Sequence, residues 1–492
     1  MLKIFLTIGS LQVLAILLNL AKSKTIAVML GPEGVGLISV IDQVVQSSAY
    51  FCALSLPFAA IKFLSRSHSE GEESFKRSYA SFFKALLILS ALGTVVTAGL
   101  ALFSNGLLGA EITKYKALLV LALLGIPTAV LGGYFINVFA AAQRFRASSV
   151  VAIVTNAALL IGVSIGIFFG KVQGFYVGTI TAGVVVTGGT IIYLQRSLGL
   201  SLVNRAGSIS KELKRSPDIV SFSLIMYVAT FTYSLSFLIA RYSVLRNFGE
   251  TEAGLLQGAI AVAIAMGLVL NPVNGLYLTP LMNRNIGKDS KFHAAAEFQR
   301  KLIFILFVVA LPVALFPKLL LAILLSSKFG VASKFVFLFV VWQSVAQLAG
   351  VNQALLIGFD DLRVYAFITC LGFASLAVFS WLLVPHLAIL GVAVAFIISG
   401  AVILLLTTAR LRFKHGFSFP LKLVSLVGYV LAVILCTGLV ANMYEEWDAT
   451  VASLKVVLYF MFLLSLFFFL STEEKGVLVG LRDRVLLRKC EP

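Results

Sequence analysis

KTIAVMLGPEGVG, residues 24–36, carries a cation, an apolar run and a turn built from Gly31, Pro32, Glu33, Gly34 and Gly36. RYSVLRNFGETEAG, residues 241–254, repeats that order in the middle of the chain. Setting Gly31 against Gly249 places Gly36 on Gly254 without a gap, an offset of 249 − 31 = 218 residues. The same offset puts Arg66 on Arg284, and Arg146 meets Arg363 one residue out. Four landmarks in register describe a chain made of two similar halves.

The composition says what the halves are made of. Of 492 residues, 60% are hydrophobic and 12% charged, with a mean hydropathy of +1.02. A soluble domain averages about 25% charged residues. Apolar runs of roughly 20 residues, long enough to cross a hydrocarbon core of ~30 Å, recur along the whole chain. They are continuous rather than alternating, which selects helices over a β-barrel. The expected fold is an all-α polytopic membrane protein with spans at 4–30, 36–62, 80–104, 117–142, 148–170, 174–195, 218–246, 253–282, 302–325, 335–358, 363–384, 388–409, 421–442 and 451–471. The reading is about fourteen transmembrane helices.

Net charge +18 in a soluble protein would suggest nucleic acid. Here 28 of the 39 basic residues fall in segments that share one side of the membrane when the N-terminus is placed inside. The excess is topogenic, both termini are expected in the cytoplasm, and no nucleic-acid partner is implied. The four cysteines show no paired spacing, so neither a disulfide framework nor a metal site is indicated. No phosphate-binding loop, zinc-protease helix or dinucleotide loop occurs, and no catalytic residue is assigned. The N-terminal stretch around Ala21-Lys22-Ser23 imitates a signal peptide, but apolarity resumes after Lys24 and the repeat needs the segment as a retained helix.

Six spans separate the copies, an even number, so the halves share orientation and are related by an axis along the membrane normal. The expected division is a six-helix lobe at 1–196, a cytoplasmic linker at 197–217, a second six-helix lobe at 218–410, and two additional helices with a basic tail at 411–492. Long basic loops are expected at 65–79 and 283–301. The tail GVLVGLRDRVLLRK is amphipathic and suits an anionic leaflet.

Charges inside the spans mark the candidate site. Lys22 lies nine residues before Gly31 and Arg241 eight before Gly249, each about 12 Å below its turn. A cation at a helix centre costs about 2.5–3.5 kcal/mol on insertion scales, so both are expected to face a cavity or a partner. Ser223, Tyr227, Thr230, Ser234 and Arg241 fall within about 60° of one another at 100° per residue, a polar stripe expected to face water. Gln12, Asn19 and Ser23 form a comparable stripe near Lys22, while Lys24 points away and snorkels outward. Asp42, with Gln46 one turn on, is the acid placed within a span. It reads either as an ion-pair partner of Lys22 or Lys24 or as a carboxylate coupled to H⁺ or Na⁺. Gln343 and Gln347, one turn apart, read as interhelical hydrogen bonding or as cavity contacts.

The glycine–acid–glycine turn, the twofold organisation and the span count together resemble the polysaccharide transporter branch of the multidrug/oligosaccharidyl-lipid/polysaccharide (MOP) flippase superfamily. That resemblance implies two lobes, as in multidrug (MATE) transporters, opening alternately around a central cavity. It implies as substrate an oligosaccharide repeat unit on undecaprenyl diphosphate, flipped across the bacterial inner membrane for O-antigen, lipopolysaccharide, capsule or exopolysaccharide synthesis. A polysaccharide polymerase or export machinery is the implied partner, with no cofactor. By its distance from the glycine, Lys22 matches the first-helix cavity arginine of related lipid II flippases. Arg241 is the candidate for their second-half cation, and Asp42 falls a few residues from their second-helix acid. Two other readings share the fold: a lipid II flippase, and a multidrug antiporter, which the cationic balance disfavours. A membrane-embedded glycan polymerase would need a large outer loop, and none is evident.

Overall fold

The computed structural model describes residues 2–54, 56–103, 113–200, 209–215, 217–273, 287–417, 419–443, 449–465 and 469. Among the described residues fourteen α-helices follow one another: α1 Leu2–Ala53, α2 Leu56–Glu70, α3 Glu72–Phe103, α4 Lys116–Leu123, α5 Ile126–Ala141, α6 Phe145–Leu198 and α7 Ile209–Arg215. The series continues with α8 Pro217–Val273, α9 Lys288–Leu315, α10 Pro317–Leu324, α11 Ser333–Gly358, α12 Leu362–His415, α13 Leu421–Met443 and α14 Ala449–Ser465. A 3₁₀ turn, Ser327–Ala332, joins α10 to α11. Nine helices among the described residues are long and apolar enough to cross a membrane, and the shorter Thr450–Ser465 is also apolar. The protein is a multi-pass helical membrane protein.

Helices and crossings do not correspond one to one. Four of the long helices break at a single point: α1 at Gly31, α6 at Gly170 and Lys171, α8 at Gly249, and α12 at Ala388. Gly31 (φ 68°, ψ −173°) and Gly249 (φ 85°, ψ −173°) occupy a backbone region essentially restricted to glycine. Each break is a hairpin. Gly36 lies against Glu250 and Gly254, while Ser39, one turn along, bonds Arg241. Residues 241 and 254 can be that close only if α8 doubles back at Gly249. Pro32 opens the returning arm of α1, where its missing N–H is harmless, and Glu33 and Glu250 sit in first turns, where a carboxylate favours the helix dipole.

The backbone carries more of the repeat than the glycines do. Left-handed residues recur in pairs: Gln143 (φ 54°) with Asp360 (φ 56°), Lys171 (φ 48°) with Ala388 (φ 49°), and Gly199 (φ 60°) with Gly416 (φ 71°). Each pair is 217 residues apart (360 − 143, 388 − 171, 416 − 199). The turns match bond for bond as well, with Arg144 N–H donating to Phe139 O and Asp361 N–H donating to Leu356 O, both at 2.9 Å.

Several expected boundaries move. The loop expected at 65–79 is helical apart from Gly71 (φ 128°), because Glu72 and Glu73 start α3 with a favourable acidic turn. Likewise α9 begins at Lys288, inside the loop expected at 283–301, and ends at Leu315, where Pro317 forces a new start. The span expected at 36–62 breaks at Leu54 (φ 47°), just ahead of Pro57. Arg284, the basic tail, part of the linker and the ends of spans 253–282 and 451–471 lie outside the described residues.

The most extensive interhelical packing joins α1 to α8, the two hairpins that carry the glycine turns. α13 packs on α9 and α11, away from that seam. The end of the bundle bearing Gly31 and Gly249 is called the turn end below.

Candidate functional site

The halves meet at the turn end through bare backbone. A Cβ on Gly36 would collide with the Glu250 carbonyl oxygen, and one on Gly254 with the carbonyl oxygen of Pro32. Glycine here is therefore more than a turn residue: it lets two helices approach across the seam. At the same end the Tyr115 hydroxyl donates to Glu250 Oε1, and Lys24 Nζ donates to the Ile323 carbonyl at 2.9 Å.

One turn deeper the contact becomes polar. Arg241 Nη1 donates to Ser39 O at 3.1 Å and to Gln43 Oε1 at 2.9 Å. Gln43 Nε2 donates to the carbonyl (3.1 Å) and hydroxyl (3.0 Å) of Ser234, whose Oγ lies 2.9 Å from Ser47 Oγ. Gln43, Ser47 and Ser234 are all buried. Ser234 and Arg241, two members of the polar stripe on α8, thus face the returning arm of α1 rather than water. Burying hydroxyls is tolerable because each finds a partner across the seam. Farther from the turns, Phe51 packs on Phe231, and Lys62 Nζ sits 3.5 Å from the Phe222 ring centroid.

Asp42 is next to Gln43 in sequence but points elsewhere. Its side chain is exposed while Ile41 and Gln43 are buried. The Tyr176 hydroxyl donates to Asp42 Oδ1 at 3.0 Å. Lys22 and Arg241 are both near enough to act on Asp42 electrostatically, yet neither forms an ion pair with it within 4.0 Å. The ion pair expected between Asp42 and Lys22 or Lys24 is absent among the described residues; a tyrosine hydroxyl takes that place. Arg241 Nε, though buried, has no hydrogen-bond partner. Two cations and one acid are therefore brought near one another by α1, α6 and α8; neutral groups bond Asp42 and Arg241, and positive charge is in excess.

Other candidates separate from this group. Asn19 accepts from Ser23 through its own carbonyl at 3.0 Å, a bond within α1. Lys24, expected to snorkel outward, is exposed and tied to α10 at the turn end. Gln343 and Gln347 are buried in α11, where their amides pack against Gly267. The side chain of Gln12 lies outside the described residues. Ser39, Gln43, Ser47 and Tyr176 are site residues that sequence reasoning missed. Ser39, Gln43 and Ser47, four residues apart, form a polar stripe that could have flagged Gln43; a tyrosine in an apolar helix gave no signal.

Residues 2–286, more than half of the chain, match the polysaccharide biosynthesis protein family. The chain belongs to that family. No curated protein matches this sequence. Among solved structures, this family member resembles an inward-facing multidrug resistance MATE transporter of the MOP superfamily (TM-score 0.67, 16% identity, 83% of this chain and 96% of that one). It also resembles the lipid II flippase MurJ in an inward closed conformation (TM-score 0.66, 12% identity, 94% and 99%). A third likeness is a MOP superfamily transporter from Pyrococcus furiosus, described as having a binding pocket of reversed polarity (TM-score 0.61, 15% identity, 82% and 95%). The family member therefore has the MATE and MurJ fold.

Proposed function

We propose that the chain flips an undecaprenyl-diphosphate-linked oligosaccharide across the bacterial inner membrane for surface polysaccharide synthesis. The observation that carries this reading is the pair Lys22 and Arg241, both close enough to act on Asp42, with no carboxylate bound to either among the described residues. A diphosphate is anionic and cannot cross hydrocarbon unaided; fixed cations in a water-filled cleft lower that barrier, and the polyprenyl tail stays in lipid. The two lobes, 1–196 and 218–410, rock about this cleft, with 197–217 between them and 411–492 as an appendix. In this reading the termini and the basic segments are cytoplasmic and the turn end faces outward. Asp42, exposed beside the cations, is the site for H⁺ or Na⁺ coupling. Multidrug transport on the same fold is disfavoured, since an excess of fixed positive charge repels organic cations.

The test replaces Arg241. Arg241→Lys retains partial transport, while Arg241→Ala and Arg241→Glu abolish most of it in proteins that insert normally, because a guanidinium grips phosphate bidentately and an ammonium does not. Mass spectrometry of the lipid-linked glycan accumulating on deletion identifies the substrate and separates an oligosaccharide repeat unit from lipid II. Normal export by Arg241→Glu at wild-type expression ends the reading.

A further inference from the structure

Gln43 is fixed in one orientation. Ser234 accepts from its amide nitrogen twice, through carbonyl and hydroxyl, so its Oε1 can only face Arg241. Arg241 in turn is divided between that oxygen and the Ser39 carbonyl, both on the opposite half of the molecule. These bonds lie one to two turns beneath the bare-backbone contacts of Gly36 and Gly254. They exist only while the turn end is shut.

The clasp is incomplete. Arg241 Nε is buried and orphaned, so the closed state leaves a charged donor below its bonding capacity. Both acceptors are neutral, whereas the guanidinium fork matches the geometry of a phosphate oxyanion and bonds it more strongly than an amide oxygen. Lys22, which like Arg241 acts on Asp42, adds attraction for an anion bound there.

We infer that Gln43 is a positioning residue that clasps Arg241 across the seam, and that a diphosphate in the cleft opens the turn end by drawing Arg241 away from Gln43 and Ser39. This rests on the reading of Arg241 as an anion ligand. The same side chain then reports occupancy and releases the gate, so the turn end opens when the cleft is loaded and recloses when it empties.

The experiment uses the full chain in lipid with nitroxide labels at Glu33 and Thr251, which line the turn end on opposite halves, and inorganic pyrophosphate as the probe. Pulsed electron resonance reads the distance between the labels, and calorimetry reads binding separately. Wild-type protein without pyrophosphate gives one short distance, and pyrophosphate adds a longer one. Gln43→Leu shows the longer distance without any anion, with the open-to-closed ratio raised about tenfold by loss of a charge-assisted bond. Gln43→Glu gives up the donation to the Ser234 carbonyl but offers Arg241 a charged acceptor, and that stronger charge-assisted bond dominates, so more pyrophosphate is needed to open it. An unchanged distance in Gln43→Leu, with Gln43→Glu also indistinguishable from wild type, overturns the clasp. Pyrophosphate that binds wild type but not Arg241→Ala, and moves no distance, overturns the trigger and leaves the anion reading standing. Absence of pyrophosphate binding to wild type overturns the trigger together with that reading.

Discussion

Asp42 and Asp361 are both carboxylates placed among cations, and the protein treats them in opposite ways. Asp361, at the start of α12, accepts from Arg410 Nε at 2.8 Å and Lys414 Nζ at 3.1 Å, and His415 Nε2 lies 3.5 Å away. Its side chain is 9% exposed, and hydrogen bonding from Arg410 holds its carboxyl down to about 2. Asp42 has a tyrosine hydroxyl, an exposed surface and two cations that stop short of contact. Asp361 ties the far end of α12 to the turn after α11, whereas Asp42 keeps capacity for a ligand. The repeat makes the point sharper. The turn holding Asp360 and Asp361 has the same backbone as the one holding Gln143 and Arg144, where the side chains are exposed and carry a cation instead. Duplicated backbone does not bring duplicated chemistry; side chains decide which copy becomes a lock.

The largest effect expected from this contrast is a failed rescue. If Asp42 were locked to Arg241 as Asp361 is to Arg410, exchanging the charges would preserve the pair. The double variant Arg241→Asp with Asp42→Arg is instead expected to transport nothing above background, because Arg241 bonds Gln43 and Ser39 rather than Asp42. Recovered transport in a glycan-export assay would erase the distinction between the two acids.

Stability should divide them next. Asp361→Asn removes a charged acceptor from partners that are themselves one-third to one-half exposed, and a loss of about 2 kcal/mol is expected. Asp42→Asn keeps an oxygen for Tyr176 and should stay within about 0.5 kcal/mol of wild type. Thermal unfolding in one detergent compares both, with transport per folded molecule expected to fall for Asp42→Asn and hold for Asp361→Asn.

The acid limb of stability sharpens the contrast further. A carboxylate depressed in the folded state stabilises above its unfolded value, near 3.8, and that contribution is lost as pH falls through about 2. The gap between wild type and Asp361→Asn should be full above pH 4 and close toward pH 2. A gap that persists at pH 2 would mean the aspartate acts through packing and not through charge. The smallest change is expected from Lys24→Ala. Its bond to Ile323 is exposed, so transport should be nearly unaffected, whereas Lys22→Ala should weaken it measurably in the same assay.

The sequence by itself determined the solvent. With so few charges, the chain can only cross lipid as helices, because hydrocarbon offers no partner for an unpaired peptide group. It also exposed one register of the repeat, since Gly31 and Gly249 occupy conformations that other residues avoid and so leave their identity as a trace. Lys22, Asp42 and Arg241 were legible for a similar reason: a charge in a span is costly enough to be noticed alone. The second register showed in the sequence only as Arg146 standing one residue out from Arg363; its turns at Gln143–Asp360 and Lys171–Ala388 stayed hidden because no residue type is required there. Only tertiary structure made Gln43 the partner of Arg241 and Tyr176 the partner of Asp42. A hydrogen bond depends on what lies within about 3 Å of an atom, and the residues that meet there are separated by 198 positions in one case and 134 in the other.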